Sequence, residues 1–324
     1  MQALFKKENT MISCTEFIPA YSELFAYLDR KKGHEEVKRF WAYLFEPDGK
    51  GIPLVNFVER EGIRGCYTYW AGTLNEEAAD FSMYVNEKRG FFYNVMHHCP
   101  SKGRLLELKD EIGITPYPYY CRHCDYYRYS VEKAGLKYIY NFDGTDKAQC
   151  SMLIYDPKVF DGRIILDENT EAMHRNASDN EYFHKDFHSS MNMGVDYLGK
   201  KYGQDSVVEY LTTFTKNVYN RLIDDMKVRG LRALEEKILD TYRKEKEPEA
   251  VKTELSENGK ELTVNVIYCP GVTHLRKTGR EVSNKYRYTT ETVMATLAES
   301  VGAEFTMGEY DEETGRTSYS FAIK

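Results

Sequence analysis

The sequence predicts an α+β protein that contains two copies of one module. Segments with apolar residues at helical spacing alternate with short runs of β-branched and aromatic residues, a pattern typical of mixed helices and strands. Identical residues also return at one constant distance. Cys99-Pro100 recurs as Cys269-Pro270 (269 − 99 = 170), and Tyr27–Gly33 corresponds to Tyr197–Gly203 (203 − 33 = 170). A distance that returns without gaps indicates an internal duplication, for which 324 residues are long enough.

The first module is predicted to extend over residues 14–156. Its helices end where Gly33, Gly62 and Gly135 interrupt the apolar pattern. The run that starts at Phe91 is typical of a strand, and the turn residues 143–146 predict a hairpin. The predicted helices are 14–29, 36–45, 52–61, 75–85, 101–112 and 125–134, and the predicted strands are 91–98, 136–142 and 149–155.

The second module is predicted to extend over residues 180–324, after a polar linker at 157–179. Each module then has a helical segment and a three-stranded sheet. We expect a pseudo-twofold relation between the two copies, because pairing of the modules would bury the sheet surface that a single three-stranded sheet leaves exposed to solvent. The predicted helices are 205–229, 231–244 and 289–301, and the predicted strands are 262–268, 304–310 and 317–323.

The composition argues against several classes of protein. The net charge is −7 and no Lys/Arg run marks a nucleic-acid face, so a nucleic-acid partner is not expected. No apolar stretch approaches the roughly 18 residues of a membrane span, and the N-terminus does not resemble a signal peptide. We therefore expect a cytoplasmic protein that binds a small molecule, without a membrane partner, and the sequence allows a homo-oligomer. The 27 tyrosines suit a cleft for an amphipathic ligand, or they fill space.

Cys99 is the first of several thiols between residues 91 and 156. It follows a predicted strand and precedes a predicted helix, where backbone N–H groups and the helix dipole would lower the pKa of its thiol. The alternative is a small buried hydrophobe next to Pro100 at the first helical position. Because Cys269-Pro270 recurs in a half with few other reactive groups, we expect a structural role for Cys269.

Cys121 and Cys124 form a Cys-x-x-Cys motif, the sharpest chemical pattern in the chain. Two thiols at this spacing can bind zinc or iron, catalyse a reaction, cycle as a dithiol or pack without chemistry. The chain has no second Cys-x-x-Cys motif, so these alternatives stay open. The candidates for further metal ligands in this region are Cys99, Cys150, His98 and His123.

His184 and His188 suggest a second metal site. On a helix, a spacing of four residues puts both imidazoles on one face, where they could share a metal ion with His174 or Asp186. The glutamate of the His-Glu-x-x-His metalloprotease motif is missing. The alternative is two surface histidines on an amphipathic helix.

The order of helices, strands and thiols in the first module resembles the L-2-amino-thiazoline-4-carboxylic acid hydrolase family. The matching residues are Cys99-Pro100 after a strand, Tyr120-Cys121, the helix-ending Gly135 and the strand cysteine Cys150. The resemblance covers each module roughly from end to end. It implies a hydrolase that opens a cyclic C–N bond.

The second module departs from this pattern. Cys269-Pro270 and Gly302 match, but Tyr288 falls near the position of Cys121, and Ser318 falls near that of Cys150. If the chemistry of the family needs those two thiols, the second module is structural.

Two functions are consistent with these observations. The first is a hydrolase of a small cyclic amide or imine, such as a thiazoline carboxylate. Cys99 or Cys121 would be its nucleophile, or part of a thiolate set that holds a metal and activates water. His98 or His123 would move the proton. The second is a non-catalytic protein that binds a small molecule or a metal in a tyrosine-lined cleft between the modules.

Alkylation of the native protein without reductant should count all 7 cysteines as free thiols. The cytoplasm keeps thiols reduced, and an odd number of cysteines cannot all pair. Mass spectrometry before and after reduction measures the count, which bound metal would lower. A protected pair that becomes reactive only after reduction would contradict the prediction.

Overall fold

The chain has an α+β structure with two antiparallel sheets. A computed structural model describes residues 17–45 and 53–324, so Cys14 and Ile52, where two predicted helices begin, lie outside the described residues. The first elements are α1 (Phe17–Lys32), α2 (His34–Phe45), α3 (Leu54–Glu61), α4 (Ile63–Glu76), β1 (Asp80–Asn86), β2 (Phe91–His98), α5 (Pro100–Ile112), α6 (Arg128–Lys133), β3 (Lys137–Asn141), β4 (Cys150–Tyr155) and β5 (Glu171–Arg175). They are followed by α7 (Phe187–Tyr202), α8 (Gln204–Val218), α9 (Asn220–Arg229), α10 (Leu231–Lys244), β6 (Val251–Leu255), β7 (Glu261–Val266), α11 (Pro270–Lys277), α12 (Tyr288–Ser300), β8 (Ala303–Met307) and β9 (Thr317–Ile323).

These elements belong to two compact units, which we name after their sheets. The five-stranded unit comprises Leu28–Asp110 and Thr115–His184. Of the described residues, the four-stranded unit comprises Lys185–Lys324, Glu111–Ile114 and the stretch from Phe17 to Tyr27. Across residues 17–45 and 53–324, no helix combines the length and the hydropathy needed to cross a lipid bilayer.

The five-stranded sheet has the order β3-β4-β2-β1-β5, whereas the sequence predicts three strands for this module. The helix predicted over 75–85 is wrong from Glu77 on, because α4 ends at Glu76 and Ala78, with a φ of 53°, turns the chain into β1. β1 is covered on both faces, so it lacks the strict alternation that identifies a strand in a sequence. β5 comes from the segment predicted as a linker and pairs with β1.

The four-stranded sheet has the order β6-β7-β9-β8, one strand more than predicted. β7 alternates between buried and exposed residues, with Leu262, Val264 and Val266 in the core, and this alternation makes it predictable. β6 buries only Val251 fully, so its sequence gives no comparable pattern.

The core of the five-stranded unit lies between its helices and one face of the sheet. Trp70 on α4 stacks on Phe92 of the central strand β2 with 5.5 Å between ring centroids. Both side chains are buried, and they belong to one cluster that also includes residues of α3, α6 and β4. This packing fixes the face of β2 that points away from solvent.

The single helix predicted over 205–229 is in fact two helices. α8 ends at Val218 and α9 begins at Asn220, with Tyr219 between them at φ −98° and ψ 20°. Tyr219 is buried, and its ring lies 5.3 Å from that of Phe214. No glycine or proline marks this break. The helical spacing of apolar residues therefore continues across it, and the sequence predicts one helix.

The order of elements from α1 to β4 is the same as the order from α7 to β9. In both parts a glycine with a φ of 84°, Gly33 or Gly203, separates the first two helices. In both sheets the second and fourth strands of this order pair directly, as β2 with β4 and as β7 with β9.

Phe92→Ala should lower the free energy of unfolding by about 3–5 kcal/mol, because it removes a fully buried ring and leaves a cavity against Trp70. Urea unfolding measures the change. The matched control is Ile139→Ala on β3, where a side chain that is 52% exposed should cost less than about 1 kcal/mol. Equal losses in the two variants would contradict this account of the core.

Candidate functional site

Four thiols of the five-stranded unit lie within electrostatic range of one another, and we call them the thiol cluster. Cys99 follows β2, Cys150 opens β4, and Cys121 and Cys124 lie on a short 3-10 helix, Tyr120–Tyr127. All four are free and partly buried. Burial raises the pKa of Cys124, and the charges that the other three would carry as thiolates raise it further. The structure therefore brings together all four thiols that the sequence singles out in this region.

The pairing of β2 with β4 holds two of these thiols together. Met96 on β2 faces Cys150 on β4, and the N–H of Cys99 donates to the carbonyl of Ala148 at 2.7 Å. Ala148 is buried and has a φ of 58°. This hydrogen bond fixes the start of α5 beside the start of β4.

Cys99 caps the N-terminus of α5, in agreement with the sequence analysis. The N–H of Lys102 donates to Cys99 Sγ at 3.5 Å. The predicted lowering of its pKa is wrong, because burial raises the pKa of Cys99 and the neighbouring Cys150 adds to the rise. The thiol of Cys99 is therefore neutral at neutral pH and is not an activated nucleophile.

Cys121 has two cationic side chains in its surroundings. Burial raises the pKa of Cys121 to about 11, although Lys102 and Arg122 each act to lower it. Lys102 lies in the first turn of α5, so the positive potential of its ammonium group reaches the thiol cluster.

His123 and Cys124 form a thiol–imidazole contact. His123 Nδ1 donates to the carbonyl of Tyr120, since a carbonyl oxygen only accepts, and Nε2 of the neutral ring then has the lone pair. Cys124 Sγ lies 3.6 Å from this Nε2. Burial lowers the pKa of His123 to about 4, so the ring is neutral at neutral pH and its Nε2 can accept a hydrogen bond from the thiol.

Two tyrosines of β3 bind the cluster. The hydroxyl of Tyr140 donates to Cys150 Sγ at 3.0 Å, and the hydroxyl of Tyr138 donates to the carbonyl of Cys124 at 2.7 Å. The sequence leaves open whether the tyrosines of this module wall a pocket or fill space. Tyr138 and Tyr140 have a further role, because their hydroxyls hydrogen-bond the segments that carry the thiols and so attach these segments to the sheet.

Glu77 is a carboxyl group near the cluster that the sequence analysis does not identify. Burial raises its pKa, and its charge contributes to the raised pKa values of Cys99 and Tyr127. In the sequence it is one of many glutamates near a helix end, and no motif distinguishes it. A carboxyl group with a raised pKa beside thiols is a candidate proton donor.

His98, the other candidate for proton transfer, lies at the exposed end of β2. Its Nε2 packs over the first turn of α5, where a Cβ on Gly103 would lie 2.2 Å from it. The structure thus places His98 on the helix surface, whereas His123 contacts a thiol.

His184 and His188 do not share a helix face, so the predicted helical pair is wrong, and metal binding by these histidines stays a prediction. α7 begins at Phe187, and His184 precedes it in the five-stranded unit, where Nδ1 bonds Glu76. His188 is buried in the four-stranded unit beside Glu245. The helical spacing that suggested a shared metal ion is absent because the helix starts after the first histidine.

Within residues 17–45 and 53–324, no three His, Cys, Asp or Glu side chains are arranged to hold a metal ion. Thiols are nevertheless the ligands that zinc and iron–sulfur centres use. Binding of zinc or iron by Cys121, Cys124 and Cys150 stays a prediction.

No family model matches the chain, and neither a curated protein nor a solved structure matches it. The resemblance to the thiazoline-carboxylate hydrolases therefore stays a prediction that rests on the residues quoted for it.

His123→Gln should make the stability less sensitive to acid. The folded-state pKa of His123, about 4, lies below the ordinary 6.5, so only the unfolded chain takes up this proton as the pH falls through 6.5. The wild-type protein should lose about 2–3 kcal/mol of unfolding free energy through this residue between about pH 7 and about pH 4.5. Urea unfolding at both pH values compares the two proteins. Equal losses would contradict the assignment of a buried neutral imidazole.

Proposed function

We propose that the protein is a thiol hydrolase of a small cyclic amide or imine, such as a thiazoline carboxylate. Cys124 is the nucleophile and His123 is its base. The observation that carries the proposal is the 3.6 Å contact between Cys124 Sγ and His123 Nε2. The sequence analysis favours Cys99 or Cys121 as the nucleophile, but it is the thiol of Cys124 that has an imidazole nitrogen within reach.

The proposed reaction on a cyclic amide balances in two steps. Cys124 Sγ attacks the carbonyl carbon, an S–C bond forms, and the thiol proton passes to His123 Nε2 and then to the ring nitrogen as the C–N bond breaks. Water then attacks the same carbon, gives a proton to His123, and the C–S bond breaks as the thiol regains its proton. Because the pKa of Cys124 is raised, the proton moves during the attack and not before it.

The surroundings of the pair suit a carboxylated substrate. The positive potential of Lys102, felt at Cys121, would attract a carboxylate to the cluster. Glu77, whose pKa is raised by burial, would be protonated more readily than an exposed carboxyl and would then repel a carboxylate less.

We also propose that the chain is an internal duplication with the thiol site in its first copy. Cys99 and Cys269 both precede a helix that starts with proline, and their N–H groups donate to the carbonyls of Ala148 and Thr314, at 2.7 and 2.8 Å. Both carbonyls come just before the fourth strand of the shared order of elements, which is β4 in the first copy and β9 in the second. That strand begins with Cys150 in the first copy, and its counterpart β9 has Ser318.

We propose a cytoplasmic location, because the cytoplasm keeps thiols reduced. In residues 17–45 and 53–324 all six cysteines are free. The proposed partner is a small-molecule substrate.

Cys124→Ala should lower kcat/KM for L-2-amino-thiazoline-4-carboxylate by about a thousandfold or more, since the attacking atom is lost. The control Cys269→Ala removes a thiol of the other unit and should stay within about twofold of wild type. Chromatography of the ring-opened product measures both rates. Turnover that survives in Cys124→Ala would overturn the proposal, and circular dichroism verifies that both variants fold.

A second candidate function, metal binding by thiolates, is favoured by the proximity of four thiols. Metal analysis of purified wild type and of Cys121→Ser separates the two candidates. Stoichiometric zinc or iron that disappears in Cys121→Ser, together with turnover that stops on chelation, would support a metal centre. Turnover that survives chelation and requires Cys124 supports the thiol–imidazole pair.

A further inference from the structure

A serine of the five-stranded sheet is held between two histidines that the proposed hydrolase does not use. The hydroxyl oxygen of Ser82 on β1 lies 2.7 Å from His97 Nε2 and 2.9 Å from His174 Nδ1. Ser82 is buried, whereas both histidines are exposed. The two histidines belong to β2 and β5, the strands on either side of β1. Two imidazole nitrogens therefore converge on one oxygen atom.

This group lies on the face of the sheet opposite the thiol cluster. The residues on both sides of Ser82 in the chain, and Met96 before His97, belong to the buried core cluster of the unit. Cys99 and Cys150 pack against that same cluster. Because successive side chains of a strand point to opposite faces, Ser82 and His97 point away from the thiols. The group is thus separate from the proposed hydrolytic site, although both belong to the five-stranded unit.

A β-bulge directs His97 towards Ser82. The register of β1 with β2 shifts between Asp80 and Phe81, and His97 is the extra residue on β2 at this shift. A bulge bends its strand and changes the direction of a side chain, and bulges are over-represented next to functional sites. The irregularity of the sheet thus occurs at the residue that reaches the serine.

His174 is positioned by its strand pairing and by a ring contact. It lies directly opposite Ser82 in the register of β1 with β5. The ring of Tyr84, two residues further along β1, lies 5.5 Å from the imidazole, with an angle of 75° between the two planes. This edge contact restricts the rotation of the imidazole and keeps its Nδ1 beside the serine.

The hydroxyl group has one proton to share between two nitrogens. Ser82 donates to one imidazole, so the other imidazole donates its own N–H group to the serine oxygen. Each ring has a second nitrogen that can carry the ring proton instead, and water reaches it because both side chains are exposed. After this change of tautomer, both nitrogens beside Ser82 present a lone pair to the same point.

The distances suit one shared metal ion. The two nitrogens are at most 5.6 Å apart, the sum of their distances to the serine oxygen (2.7 + 2.9). Two imidazoles that bind one zinc ion, with Zn–N distances of about 2.0–2.1 Å, have their nitrogens at most about 4.2 Å apart. A rotation of the two exposed side chains closes the difference. Only two of the three side chains are of the His, Cys, Asp or Glu type, so water would complete the coordination.

We propose that His97 and His174 bind one divalent transition-metal ion of the zinc, nickel and copper class, with the oxygen of Ser82 beside it. Imidazole nitrogen is a preferred ligand of these three ions. A bound ion would connect three adjacent strands of the sheet, β2, β1 and β5. Its water ligands would leave positions open to a small molecule from solution. The proposal does not depend on hydrolase activity.

The first test titrates the full-length protein with nickel chloride by isothermal titration calorimetry. His97→Gln and His174→Gln should each weaken nickel binding at least about tenfold, because each removes one of the two nitrogen ligands. The matched control His98→Gln removes the next histidine of β2, which packs over α5, and should leave the affinity unchanged. Thiols also bind nickel, so the binding event that counts is the one that the two histidine variants weaken.

Two results of the titration would overturn the proposal. One is an affinity that stays unchanged in either His97→Gln or His174→Gln, since both nitrogens are required. The other is a control that is weakened as much as the two variants, since nickel would then bind exposed histidines without selection. A wild-type dissociation constant above about 1 mM would also contradict a built site.

A second measurement needs no variant and therefore does not depend on how a variant folds. Diethylpyrocarbonate acylates accessible imidazole nitrogens, and peptide mapping by mass spectrometry locates each modified histidine of the wild-type protein. Nickel at a saturating concentration should protect His97 and His174 and leave the modification of His98 unchanged. Equal modification of His97 and His174 with and without nickel would overturn the proposal.

Discussion

The antiparallel pairing of β2 with β4 is the interaction on which the five-stranded unit depends. It lies at the centre of the sheet and places Cys150 opposite Met96. Because side chains alternate between the faces of a strand, a slip of one residue would turn Cys150 to the other face. Tyr140 on β3 faces Met152 of the same strand, so its bond to the thiol would be lost as well. The register of one strand pair thus determines whether the thiols meet.

Burial, more than any charge, determines the chemistry of these thiols. A helix N-terminus stabilises a nearby negative charge by about 0.3–1 kcal/mol, which is less than the 1.4 kcal/mol or so of one pKa unit. The N–H group of Lys102 at Cys99 therefore cannot offset the desolvation of the thiolate. Cys269 shows the same balance, since burial raises its pKa to about 11 although the N–H groups of Gly271 and Val272 oppose it. Reactivity at such a site would require a base, and we propose that the neighbouring imidazole of His123 is that base.

Elements that a local sequence pattern encodes could be predicted from the sequence, whereas elements that depend on tertiary contacts could not. β2 and α10 are predicted to the residue, as Phe91–His98 and Leu231–Lys244, because alternation, helical periodicity and the following glycine or proline are encoded nearby. β1, β5 and β6 are missed, since their state depends on partners far away in the chain. The four cysteines of the site could be selected by residue type. The sequence could not show that His123 contacts Cys124 or that Glu77 lies near the thiols. A 3-10 turn and a helix end bring these side chains to the thiol cluster.

Ala148 connects the site to the energetics of the backbone. With a φ of 58° it occupies the left-handed region, which costs an ordinary L-residue roughly 1–2 kcal/mol relative to its preferred conformations. Its methyl group is buried, and its carbonyl is the acceptor for the N–H of Cys99. The peptide that aligns the two strand-end thiols is therefore strained, and the surrounding packing maintains it against the local preference of the chain. Strain of this kind is typical of functional sites, where a particular geometry is kept at the expense of local stability.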